Sequence, residues 1–294
     1  MNEHACMDLE HLGLEGAIAC YLVAGAEPAI VDPGPTTTLD RLTDELSALG
    51  VGERDLRHVL LTHIHLDHAG ATGHLLDRFP EAVVHVHADG ASHLVDPERL
   101  VASTRRTFGD MHDRLWGEVK PVPANRIEVW EPGDSGTRAG LRPLPTPGHI
   151  AHHLAFLDES DGTLFSGDSM GIALGDAPQH TPTPPPAVNL PDWARTLEEL
   201  AVIGPERFGA THFGFHDDVE SRRVQLAERL VALEARVRDA MASGSEDADA
   251  SAFEEEVRGE LAPFVGRERV DRYFDMFPAA TDWAGVAFYV KRNP

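Results

Sequence analysis

Apolar residues follow two different periods along this chain. Short apolar runs at 17–23, 28–31, 59–61 and 83–86 read as strands bounded by turn residues. A helix is expected from about 38 to 49, closed by Gly50, and another from 69 to 79, ended by Pro80, which has no backbone N–H to give. From 90 to about 117 the pattern is helical, with Leu94, Leu100, Met111 and Leu115 among its apolar positions. Runs at 127–130, 141–144, 154–157, 163–165 and 208–210 read as further strands, with a helix at about 191–203 between the last two. Strands and helices in that succession predict two sheets packed face to face with helices outside.

Beyond Gly214 the pattern turns helical. Val219, Leu226, Leu230, Leu233, Val237 and Met241 form one apolar stripe along a long helix. Residues 243–249 read as an acidic, flexible break, and Ser251 to Glu254 has the form of a capping box that opens the next helix. The expected organisation is a layered unit at 1–215 and a helical region at 216–294. That region reads as a packing unit that extends the core, as a cap over a cleft, or as a dimer contact.

Composition narrows the picture. Of 294 residues 42% are hydrophobic, enough for a core, and no apolar run is long enough to span a membrane. The N-terminal stretch from Met1 to Cys6 lacks a basic patch followed by an apolar segment, so no signal peptide is expected. Cys6 and Cys20 are the only cysteines; both read as small buried residues, and a disulfide framework is excluded, which suits a reducing cytoplasm. Asp and Glu number 49 against 25 Lys and Arg, a formal charge of −24. A surface that acidic repels nucleic-acid backbones and anionic lipids, so neither is an expected partner.

The densest chemistry lies at His63-Ile64-His65-Leu66-Asp67-His68, directly after the apolar run at 59–61. Residues two apart on an extended backbone point the same way, so His63 and His65 can aim two imidazoles at one point. Asp67 and His68 follow at the turn and can serve a second point beside it. Further candidates stand at later strand ends: His149 in Thr146-Pro147-Gly148-His149, Asp168 in Ser166-Gly167-Asp168, and His212 in Thr211-His212-Phe213-Gly214. Asp32 ends an early strand in the same manner. One donor per strand end places distant segments on one edge of a sheet, where ligand sites of layered α/β proteins gather. His85 and His87 share a strand face, either in a half-buried structural role or lining a cleft. His152 or His153 is expected to support a ligand. The proline-rich stretch 178–186 is stiff and reads as a linker or as a cleft wall.

The motif HxHxDH at 63–68, with TPGH at 146–149, GD at 167–168 and TH at 211–212, resembles the metallo-β-lactamase superfamily over roughly residues 15–215. The resemblance implies a four-layer αββα sandwich with a C-terminal α-helical appendage. It implies two divalent metal ions per chain. His63, His65 and His149 would hold one, Asp67, His68 and His212 the other, and Asp168 would bridge them. Asp32 would support a ligand rather than bind metal. Zinc is the default ion for such donors, with iron or manganese also accepted.

Function then follows by exclusion within the resemblance. A secreted β-lactamase would carry a signal peptide, and nucleases need basic grooves. What remains resembles the glyoxalase II group, hydrolases of thioesters, esters or lactones, with Asp67 and Asp168 as the catalytic carboxylates. The basic glutathione-binding pattern of that group is missing. An iron-dependent persulfide-dioxygenase-like oxidoreductase and a phosphodiesterase of the same superfamily are the alternatives. The expected partner is a small-molecule substrate, with a homodimer also open.

Overall fold

The structure is a computed structural model that describes residues 3–23, 25, 27–131 and 133–294. Met1 and Asn2 of the N-terminal stretch read above lie outside them, as do Ala24, Ala26 and Pro132. The first sheet is built in chain order from β1 (Ala5–Asp8), β2 (Ala19–Val23), β3 (Ala29–Val31), β4 (His58–Leu60), β5 (Val83–His87) and β6 (Ile127–Trp130). β1 to β3 pair antiparallel, whereas β3 to β6 run parallel. The second sheet contains β7 (Arg142–Pro145), β8 (Leu154–Asp158), β9 (Thr163–Gly167), β10 (Arg207–Ala210) and β11 (Gly214–His216), again ordered as in the chain. Its only parallel pair is β9 with β10.

Parallel neighbours need crossovers, and helices supply them. α1 (Leu39–Ala48), α2 (Leu66–Ala69), α3 (Thr72–Arg78), α4 (Ala88–Val95), α5 (Glu98–Phe108) and α6 (His112–Trp116) serve the first sheet. α7 (Leu190–Ile203) links β9 to β10, and α8 (Val219–Ser243), α9 (Glu246–Val265), α10 (Arg267–Met276) and α11 (Ala279–Arg292) complete the chain.

Strand alternation decides which face meets which layer. Tyr21, Val31 and Leu60 of the first sheet share a buried cluster with Leu154, Phe156 and Phe165 of the second, which is the contact between the sheets. The intervening Cys20, Leu22, Ile30 and Val59 belong to an outer cluster with Leu42 and Leu46 of α1, Leu75 of α3 and Val270 and Phe274 of α10. On the other side Ala155, Leu157, Leu164 and Phe208 join Trp193 of α7, Leu226, Leu230, Leu233 and Val237 of α8, and Val286 of α11. The result is an αββα sandwich with C-terminal helices, as expected. The predicted α8 stripe from Val219 to Val237 is buried in the outer cluster of the second sheet, each such side chain contributing about 1.5–3 kcal/mol relative to exposure, while Met241 at its end is half-buried.

Local differences have local causes. The motif helix starts at Leu66 instead of 69, because the His65 carbonyl already accepts the N–H groups of His68 and Ala69. Asp67 and His68 therefore sit in a first helical turn. The expected acidic break is reduced to Gly244 and Ser245: Gly244 ends α8 in the left-handed region, and Glu246, Asp247 and Asp249 suit the N-terminal dipole of α9. Ser251 lies inside α9, where its hydroxyl donates to the Asp247 carbonyl, so it opens no helix. Cys6, expected to be buried, is exposed on the edge strand β1, while Cys20 is buried. Among the described residues no helix is long and apolar enough to cross a membrane.

Candidate metal centre

Five of the expected donors lie in loops just past the C-terminal ends of strands, and Asp67 and His68 sit in the first turn of α2. His63 and His65 follow β4, His149 follows β7, Asp168 follows β9 and His212 follows β10. Two glycines let the loops close there. A Cβ on Gly148, before His149, would run into Trp193, and one on Gly167, before Asp168, would run into Thr62 and His153. Both have positive φ, which favours glycine.

The side chains converge in overlapping groups. Donor atoms of His63, His65 and His149 lie within 4.8 Å of one another, as do those of Asp67, His68 and His212, and those of His63, His68 and Asp168. His65 Nδ1 is 2.9 Å from His63 Nε2 and 2.8 Å from His149 Nε2. His212 Nε2 is 3.3 Å from Asp67 Oδ2. Asp168 spans the two groups, with Oδ2 3.3 Å from His149 Nε2 and Oδ1 3.3 Å from His68 Nε2. The structure thus brings all the expected donors together.

Contacts behind three of the donors settle which ring nitrogen those histidines present. His68 Nδ1 donates to Asp32 Oδ2 at 2.8 Å, His149 Nδ1 to the Pro182 carbonyl at 2.7 Å, and His212 Nδ1 to the Ala17 carbonyl at 3.0 Å. In each case Nε2 is left facing the centre, the arrangement in which metal-ligating histidines are oriented. Asp32 is itself held by the Thr62 amide at 2.9 Å and the Thr62 and Thr211 hydroxyls at 2.8 and 3.0 Å.

The electrostatics fit a cation. Burial, joined by the neighbouring rings of His68 and His65, pushes His63 well below the ordinary histidine range; burial and His149 take His65 down to about 3. Both are neutral donors at ordinary pH. Burial alone would lower His68 too, yet Asp168, Asp32 and Asp67 hold it well above its usual value. Burial would raise Asp67 and Asp168, but His68, with His212 for Asp67 and His149 for Asp168, holds both carboxyls below theirs. Among the described residues His68 Nε2 and Asp168 Oδ1 are buried without a hydrogen-bond partner. Unpaired buried donors among buried carboxylates are what divalent ions satisfy.

Residues outside the expected set also belong here. His153 accepts the Asp168 amide at Nε2, 3.1 Å away, and its Nδ1 meets Thr146 Oγ1 at 2.7 Å, so of the adjacent pair it is His153 that backs a ligand. His152 lines the cavity in front of the centre. His85 is buried and its Nε2 meets His58 Nδ1 at 2.9 Å, whereas His87 caps α4 by accepting the Asp89 amide at 3.1 Å. Tyr273 of α10 lines the same cavity, buried, with a hydroxyl that has no hydrogen-bond partner among the described residues. Nothing in the local sequence of α10 marked it, since it is a tyrosine on an amphipathic helix far along the chain. His180 pairs with Asp282 of α11 at 2.8 Å, and Asp282 also accepts the Thr183 amide at 2.7 Å. The proline-rich stretch is thereby tied to α11, and Pro182, Pro184, Pro185 and Pro186 form one wall of the cavity.

Two sheets between helices, with histidines and carboxylates gathered at the strand ends, define a metallo-hydrolase fold. The sequence pattern of the metallo-beta-lactamase superfamily matches residues 13–212, and the chain belongs to that superfamily. A metallo-beta-lactamase fold-containing protein of Sulfurisphaera tokodaii is 28% identical over 164 residues, which are 54% of this chain and 61% of that protein. The match thus spans less than two thirds of that relative. A hydroxyacylglutathione hydrolase of Synechococcus sp. is 27% identical over 212 residues, 69% of this chain and 70% of its own. Among solved structures, a metallo-beta-lactamase family protein from Thermus thermophilus is similar with a TM-score of 0.67 at 23% identity, covering 100% of this chain and 94% of that one. That likeness in fold extends through the C-terminal helices.

Proposed function

We propose that this protein is a metal-dependent hydrolase whose two-ion centre acts on a small thioester, ester or lactone. The observation that carries the reading is the Asp168 carboxylate, which offers one oxygen to His149 and the other to His68. A single side chain can so serve two ions, with His63, His65 and His149 around one and Asp67, His68 and His212 around the other. Zinc suits these donors best, and iron or manganese could take its place. Divalent ions held there would lower the pKa of a water toward neutrality and polarise a carbonyl.

The chain's own groups complete the chemistry. Asp67 and Asp168, kept ionised by the histidines around them, can accept the proton that a water gives up. Burial pushes the Tyr273 phenol well above its usual pKa, so it stays protonated and can donate to an oxygen that gains charge. Pro182, Pro184, Pro185 and Pro186 line the cavity together with Tyr273 and Phe277. Residues 1–215 would then carry the metal donors, and the helical region 216–294 would close the cleft and contribute Tyr273. The likeness to a hydroxyacylglutathione hydrolase supports thioester chemistry, while the charge of −24 disfavours a polyanionic phosphodiester.

The test combines metal analysis with a substrate panel. Protein purified without added metal should carry about two divalent ions per chain. It should turn over a thioester or activated ester well above a phosphodiester or a β-lactam. Chelation, His65→Ala or Asp67→Ala should abolish turnover, and Asp168→Ala should weaken one ion more than the other. A phosphodiester preferred by about tenfold, about 1.4 kcal/mol in transition-state binding, would refute the substrate class. Iron-loaded protein that hydrolyses nothing but consumes oxygen with a persulfide would refute the hydrolase reading itself.

A further inference from the structure

We propose that the substrate is an amphiphilic anion: an apolar chain with its scissile carbonyl at the metal centre and an anionic group held at the cavity mouth by Arg99 and Arg106. This rests on the hydrolase reading above and names its substrate class. The cavity has a volume of about 450 Å³, within the range of small-molecule sites. His65, Asp67, His149, Asp168 and His212 line one part of it. Its walls are largely hydrocarbon, from Ile64, Leu100, Phe108, Trp116, Ile172 and Phe277. Such walls offer contact to an alkyl chain and few partners to a polar one.

Arg99 and Arg106 line this cavity too, yet both are exposed, which puts their guanidinium groups at its opening. They stand seven positions apart on α5, two helical turns or about 10.5 Å, with Ser103 between them on the same lining face. Among the described residues neither forms an ion pair or a hydrogen bond. Arg54, Arg114, Lys291 and Arg292 are likewise without an ion pair among the described residues, but only Arg99 and Arg106 line this cavity. The adjacent Arg105 pairs with Asp113 at 2.6 Å, and Arg142, Arg236 and Arg258 elsewhere all hold carboxylates. Two cations left free of acids at the rim of an apolar cavity favour an anion that enters with an apolar body. Guanidinium forks suit a carboxylate, sulfate or phosphate head alike.

The test reads binding separately from hydrolysis. Octyl sulfate and the neutral octyl glucoside are titrated calorimetrically into the intact protein as purified and into the double variant Arg99→Glu/Arg106→Glu. The expected result is tighter binding of octyl sulfate, weakened by about tenfold or more in the variant, with octyl glucoside changed by less than about twofold. Retained octyl glucoside binding also shows that the variant is folded. Equal affinity for the two probes, failure of either to bind, or octyl sulfate binding that ignores the arginine changes would overturn the assignment; the last would put the head group at the metals. Charge-dependent binding in a protein that hydrolyses no ester would sink the hydrolase reading alone. Ester hydrolysis without charge-dependent binding would sink this inference alone.

Discussion

Asp32 touches no substrate and still decides how His68 presents its ring. Its Oδ2 accepts from His68 Nδ1, so His68 Nε2 must face Asp168 and the metal position. Asp32→Asn keeps a side chain that tolerates the positive φ of this residue but replaces the acceptor with an amide that can turn its N–H₂ toward the ring. Metal affinity should fall by about 10–100-fold in competition with a chelator. Unchanged affinity would remove Asp32 from the set of orienting groups. Tyr273 poses the complementary case of a residue that faces the cavity. Tyr273→Phe should lower kcat by about ten- to hundredfold on an activated ester while metal content stays the same, because only a donor to the charged transition state is lost. A change confined to KM would make the hydroxyl a ground-state contact instead.

At the scale of elements, the centre depends on a path that runs outside it. α11 supplies Asp282, which holds Thr183 and His180; the same stretch supplies the Pro182 carbonyl that orients His149. Thr183 Oγ1 also donates to the Asp282 carbonyl at 2.9 Å. Asp282→Ala leaves His180 and the Thr183 amide buried without their acceptor, at a cost of about 1–3 kcal/mol for such a group. The expected outcome is a lower melting temperature together with looser metal at the His149 side, read by thermal denaturation and by metal analysis after dialysis. A variant that melts early yet keeps both ions would show α11 to be a packing element only. Ion pairs at the surface of the C-terminal helices, such as Arg267 with Asp271 and Glu255, add little to this anchoring.

Across the whole molecule, buried neutral histidines make the metal-free protein sensitive to acid. Burial with the nearby His58 lowers His85 to about 3, burial lowers His11 to about 4, and burial with His87 lowers His152 to about 4. In the unfolded chain each takes up a proton near the ordinary value of 6.5. Between those values the unfolded state binds more protons, so stability rises with pH there. The contribution is complete above the ordinary histidine pKa and is lost as the pH falls through about 4. The urea midpoint of chelator-treated protein should therefore drop from about pH 7 to about pH 5, and less steeply in His85→Gln. An equal slope in that variant would show that His85 contributes nothing to it.

Much of the centre was legible in the chain because its donors are locally encoded. HxHxDH places four of them on consecutive turns of backbone, and Gly148 and Gly167 mark loops where only a bare backbone fits. The strands and long helices were legible for the same kind of reason, since periods of two and of three to four residues follow from local geometry. Positions decided by neighbours distant in sequence were not. β1 and β11 are short edge strands defined by their partners, and Ser251 has the form of a helix start that Ser245 and Glu246 pre-empt. Tyr273, Asp282 and Arg99 carry no local mark of function, because their roles arise only where α10, α11 and α5 meet one cavity. Backbone geometry and side-chain chemistry act between near neighbours, so sequence by itself determined the sandwich and the histidines and carboxylates that converge at its strand ends. Which nitrogen His68, His149 and His212 present, which distant residues line the cavity and which charges rim it depend on contacts between distant segments, and only the tertiary structure decided them.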